Sequence, residues 1–232
     1  MTIVYVIIFL AALAVMGFFI YKNMFLEKNK VEKTFDAFII NAGFKWLNSA
    51  DSNFLKVKHV LADATMDLSG YSIEILQMIS RDFGKFRMYV CDITQGSAKG
   101  QARLSVNKTC LYVERKYESK DRLEIYRHLP NIDSGHQVLI TGADTISAGI
   151  VPTFGGIFTV KGILVDKTNP MLPEAAQKAI LSYQNKYPMN SAAGESRIYI
   201  DGNGIAIFGI RAWEEDNLKT LVNLAREIAE AK

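Results

Sequence analysis

The residues best suited to nucleophilic or metal chemistry are three histidines, His59, His128 and His136, and two cysteines, Cys91 and Cys110. His128 and His136 flank Asp133, and two imidazoles with a carboxylate can hold a transition metal. No helical or strand spacing fixes them, because Pro130 and Gly135 punctuate the segment as loop. Two cysteines alone do not complete a zinc site, which takes four ligands. No G-x-S-x-G elbow is present. GIVPTFGGIFTVKG, residues 149–162, gathers four glycines, a proline and Lys161. A phosphate-binding P-loop needs Gly-Lys followed by Ser or Thr, between a strand and a helix. Here Lys161 lies between Val160 and Gly162, and the Gly155-Gly156 pair precedes a strand pattern, so no helix amides converge on an anion. A dinucleotide fingerprint fails for the same reason. The stretch reads as a bend feeding a strand. DGNG, 201–204, lacks the alternating acidic ligands of a calcium loop and reads as a hairpin turn. No catalytic, cofactor-binding or metal constellation emerges. The one alternative ligand site is His128, Asp133 and His136, beside the 149–162 bend.

The elements that would position these residues begin with a long apolar run. Ile3 to Tyr21 carries no charged side chain, and the first is Lys22. About 20 apolar residues in a helix suffice to cross a hydrocarbon layer. No Lys or Arg precedes the run and no small-residue site closes it, which favours a retained signal-anchor over a cleaved signal peptide. The anchor positions are Ile3, Val6, Leu10, Leu13, Phe18 and Tyr21. Lys22, Lys28, Lys30 and Lys33 follow, and positive residues stay on the cytoplasmic side. The expectation is a single-pass protein, N-terminus outside and C-terminal domain cytoplasmic, meeting membrane lipid through this helix.

Composition fits that plan. Of 232 residues, 49% are apolar and 22% charged, a globular balance, and the net charge is only +3. A nucleic-acid binder would concentrate its basic residues in one stripe, so nucleic acid is not an expected partner. Two cysteines in a chain of this length suit a reducing compartment and read as small buried hydrophobes.

Beyond the anchor, Phe25, Val31, Phe35, Phe38 and Ile39 recur at helical spacing among lysines and glutamates. Residues 23–42 read as an amphipathic helix ended by Gly43, with Phe25, Val31, Phe35 and Phe38 as its candidate partner face. FLKVKHVL, 54–61, reads as a short strand, and YSIEILQMISRDF, 71–83, as a helix with Ile73, Leu76, Ile79 and Phe83 on one side. From Lys85 the period becomes two. FRMYVCDI (86–93) and TCLYVERKY (109–117) read as antiparallel strands, which puts Cys91 and Cys110 on neighbouring strands. RLSV (103–106) and HQVLIT (136–141) add short strand candidates. The last part is the clearest: a strand over 157–165, a helix opened by Pro173, the hairpin 196–210 around DGNG, and a helix opened by Glu214 to Asp216 at its positive end.

The order of the C-terminal part, residues 146–232, is β-α-β-β-α. The fold class is α+β: one transmembrane helix, then a soluble domain of antiparallel strands and helices. The expected divisions are an anchor over 1–22, a juxtamembrane helix over 23–48, a first α+β segment over 49–145 and a C-terminal segment over 146–232.

Tyr21, Asn29, Lys30, Val31 and Phe35 resemble the start of LemA-type membrane proteins over some fifteen residues. Those proteins continue as long helices, which this sequence does not. NAGFKW (41–46), MYVCD, LYVERK, the LP at 129–130, FTVKG and LPEAAQKAIL together make a layout that is similar to a broad group of uncharacterised bacterial membrane-anchored proteins. The resemblance implies an architecture and a place in a bacterial inner membrane, and it brings no catalytic residues. The functional expectation is a non-enzymatic interaction or scaffold module, an accessory subunit meeting other membrane-complex proteins, without cofactor. A tether serves such a module by raising local concentration. The alternative is a tethered enzyme or small-ligand sensor with its site near the 128–162 loops.

Overall fold

The computed structural model describes residues 2–66, 71–97, 106–115, 121–127, 144–164, 172–187, 197–208 and 215–231. Strands β1 (Lys45–Trp46), β2 (Tyr71–Asp82), β3 (Arg87–Ser97), β4 (Val106–Glu114), β5 (Arg122–Arg127), β6 (Asp144–Thr145), β7 (Phe158–Ile163), β8 (Arg197–Asp201) and β9 (Gly204–Phe208) form one sheet. Its spatial order is β1-β2-β3-β4-β9-β8-β5-β7-β6, and neighbouring strands pair antiparallel. The helices are α1 (Thr2–Ala42), α2 (Ser52–Met66), α3 (Pro152–Gly155), α4 (Glu174–Lys186) and α5 (Glu215–Glu230). The fold is α+β.

Strand alternation divides the core between the two faces of the sheet. Met88 and Val90 of β3, with Leu111 and Val113 of β4, join Phe35 and Phe38 of α1 and the apolar sides of α4 and α5. Tyr89, Cys91 and Ile93, with Cys110 and Tyr112, point the other way and meet Phe54, Val57 and Leu61 of α2. On α5, Leu218, Leu221, Val222, Ala225, Ile228 and Ala229 are buried, the stripe that its helical spacing predicts. The acidic start of α5 also staples the helices together. Glu215 accepts a hydrogen bond from Asn41 of α1 at 2.8 Å, and Asp216 accepts from Lys186 at 2.8 Å and the Tyr187 hydroxyl at 2.7 Å.

Three expectations are corrected. Residues 54–61 belong to α2, not a strand. Phe54, Val57 and Leu61 bury one helical side at i, i+3 and i+7, and the Asp51 carboxylate receives the Asn53 N–H at 2.7 Å near the first turn. Residues 71–83 are strand rather than helix. The register slips between Ile75 and Gln77, which leaves Leu76 as an extra, exposed residue. This β-bulge breaks the period of two, so that Ile73, Leu76 and Ile79 imitate helical spacing.

The third correction concerns the membrane. Among the described residues no helix is long and apolar enough to cross one. The expected transmembrane anchor over 1–22 is therefore not sustained, nor is the inner-membrane location with an outer N-terminus and a cytoplasmic domain. Ile3–Tyr21 is instead the leading part of a continuous 41-residue helix that runs on through the lysine-bearing stretch to Ala42. Gly43 ends it at φ +68°, a value that suits glycine, and its N–H returns to the Ile39 carbonyl at 3.1 Å.

Candidate interaction surface

The two ends of α1 stand in opposite environments. Phe35 is fully buried and Phe38 nearly so, and Phe38 packs its ring 5.1 Å from that of Phe44. Arg81 of β2 donates a hydrogen bond to the Ala42 carbonyl and caps the helix end. Toward the N-terminus, Tyr5, Phe9, Leu10, Leu13, Phe18 and Tyr21 are all exposed, Phe9 at 64% and Tyr21 at 69%. Exposed apolar surface of this extent is a candidate for contact, and burying each large apolar side chain is worth about 1.5–3 kcal/mol. Lys22, Lys30 and Lys33 are exposed beyond it.

The residues expected to form a partner face are thus divided. Phe35 and Phe38 belong to the protein's own core, and the structure describes α1 at Phe25 and Val31 by backbone only, as it does at Ile3, Val6 and Lys28. His128, Asp133 and His136, like the 136–141 strand candidate, lie outside the described residues. His59 is exposed on α2. Among the described residues, no group of three or more His, Cys, Asp and Glu side chains is placed to hold a metal ion.

The glycine-rich stretch is a bend, built as its composition suggests. Val151–Pro152 opens the single turn of α3, and the chain passes through Gly156 into β7. The fully buried Gln177 of α4 holds it, a role that nothing local in the sequence advertises. Its side-chain carbonyl accepts the Val151 N–H at 2.9 Å, and its amide donates to the carbonyls of Gly149 at 2.7 Å and Leu172 at 3.1 Å. Beside the bend lies an open cavity of about 320 Å³ between Asp144–Ala148 and Gly162–Leu164.

A polar cluster seats α2 at one end of the opposite face. Glu114 of β4 accepts hydrogen bonds from Lys56 of α2 and from the Tyr89 hydroxyl, the latter at 3.1 Å. Partial burial pushes the Glu114 carboxyl up, but the bonds from Lys56 and Tyr89 outweigh it and hold the group below its ordinary value. The Tyr89 phenol is pushed up to about 12 by burial and by the Glu114 charge. Farther along the sheet, Glu124 of β5 and Arg197 of β8 form a buried ion pair at 2.5 Å, with the guanidinium carbon 5.8 Å from the centre of the Tyr126 ring. These are contacts that seat elements on one another. None of the groups faces the cavity, whose polar lining is Asp144, Thr145 and Ser147.

No protein-family model matches the chain, and no curated protein matches it in sequence. Among solved structures, it is similar to the crystal structure of the mycobacterial trehalose monomycolate transport factor A, TtfA. The TM-score is 0.50 at 10% identity, covering 85% of this chain and 91% of that one. At that identity the likeness is one of fold.

Proposed function

We propose that this chain is a non-enzymatic interaction module, an accessory subunit of a bacterial transport assembly, which presents the exposed N-terminal half of α1 to an apolar helical surface of a partner protein. One observation carries the reading: a single helix is built into the core at one end and leaves large apolar side chains uncovered at the other. The docked end makes the exposed end a rigid extension of the domain, so a partner gains contact area without ordering a loose segment. The likeness in fold to a transport factor supports the class of assembly. Replacing Leu10, Leu13 and Phe18 together by serine tests it. The variant is expected to keep the wild-type unfolding temperature and lose a stoichiometric set of transport proteins on co-purification. Retention of the same set would overturn the proposal.

A second reading rests on the cavity beside the bend. A volume of about 320 Å³ falls at the small end of ligand sites, and its lining combines Ile146, Ile163 and Leu164 with Thr145 and Ser147. It would take a small, partly apolar molecule with hydroxyl or amide groups. Thr145→Trp fills the cavity. If the protein is a ligand sensor, that variant loses a ligand-induced thermal shift seen with the wild type.

A further inference from the structure

Cys91 of β3 and Cys110 of β4 are directly opposite partners in the antiparallel register. Both are free thiols and fully buried. Opposed residues on antiparallel strands hold their Cα atoms about 4.5 or 5.5 Å apart, and disulfides span Cα separations of about 4.4–6.8 Å. The pair therefore sits at bridging distance without movement of either strand. Both side chains belong to the apolar cluster that Phe54, Val57 and Leu61 of α2 help to complete. Burial raises both thiols, with the Asp92 charge adding at Cys91 and the Cys91 charge adding at Cys110. Few thiolates form while α2 is seated, and thiolate is the nucleophile.

We propose that Cys91 and Cys110 are an oxidisable modification site, which closes to an intramolecular cross-strand disulfide against a low-molecular-weight disulfide when α2 lifts from the sheet. In the first step one cysteine loses its proton to solvent and attacks the reagent's S–S bond. A mixed disulfide forms and one reagent thiolate leaves. In the second step the opposed cysteine, deprotonated in turn, attacks the protein sulfur of that mixed disulfide and expels the second reagent thiolate. Two electrons pass from the protein thiols to the reagent, which ends as two thiols. The register makes the second step an encounter between neighbours already in place, so the mixed disulfide does not accumulate. Local opening of α2 sets the rate.

The test incubates the full chain under native conditions with oxidised glutathione, traps remaining thiols after denaturation, and reads intact mass and peptide maps over time. The expected product is a loss of two hydrogens mapped to Cys91 and Cys110. Phe54→Ala, which removes an apolar contact of α2, is expected to form it about 10-fold faster. Lys56→Ala leaves the core intact and loosens only the contact to Glu114, so a smaller acceleration in the same direction is expected. In Cys91→Ser the glutathione adduct should persist on Cys110. A persistent adduct on the wild type, or a disulfide between two copies, would contradict the proposal. So would equal rates in wild type and both variants, or thiols that stay reduced in all three while the guanidinium-unfolded chain oxidises.

Discussion

Glu114 shows how one side chain can carry a pH dependence for a whole contact. Its carboxyl titrates lower in the folded protein than in the unfolded chain, because Lys56 and Tyr89 both donate to the charged form. A depressed carboxylate contributes stability above its unfolded value, and that contribution is lost as pH falls through the folded value. The seating of α2 should therefore weaken below about pH 4.3, where an unperturbed glutamate protonates. Glu114→Gln is expected to lose about 0.5–1 kcal/mol at pH 7 and to unfold with a flatter acid dependence. Thermal melts of both proteins from pH 7 to pH 3 check this, and parallel curves would refute it. Gln177 is the residue with the larger structural role. Gln177→Ala removes the partner of the part-buried Val151 N–H and Gly149 carbonyl and of the buried Leu172 carbonyl, a loss of about 1–3 kcal/mol, or roughly 3–10 °C in Tm. An unchanged Tm would show that water replaces the side chain without loss.

The elements differ in how openly the sequence displays them. β3, β4, β7, the β8–β9 hairpin, α4 and α5 follow local rules: alternation, turn chemistry or a 3.6-residue stripe. In the hairpin, the Asp201 carboxylate accepts from the backbone N–H groups of Asn203 at 2.7 Å and Gly204 at 3.1 Å, the turn that DGNG announces. α2 and β2 were hidden from the same rules, one by lysines placed between its buried residues and the other by the bulge at Leu76. The N-terminal half of α1 is the more apolar in composition, so burial at Phe35 and exposure at Phe18 run against what composition alone suggests. That difference is measurable. Phe38→Ala, in the docked end, is expected to destabilise the protein by about 3–5 kcal/mol. Leu13→Ser, in the exposed end, should change stability by no more than about 0.5 kcal/mol. Urea unfolding of the two variants distinguishes them, and equal losses would show that the exposed end is also built into the core.

At the scale of the molecule, the pairings that make one sheet are those no local pattern announces. β4 pairs with β9 across almost a hundred residues of sequence, and β5 lies between β8 and β7. Such contacts are set by global packing and by close backbone approach, as where a Cβ on Gly204 would meet the Val113 carbonyl oxygen at 2.2 Å. The candidate surface is likewise a property of the assembled chain, since it exists only because the sheet and α5 take up one end of α1 and leave the other. Site-specific photo-crosslinking in the native cell tests this account most directly, with the reactive residue placed in turn at Leu13, Phe18 and Glu227, an exposed position on α5. The account predicts the same defined transport proteins captured from Leu13 and Phe18 and none of them from Glu227. Capture at equal yield from all three positions, or from none, would contradict it.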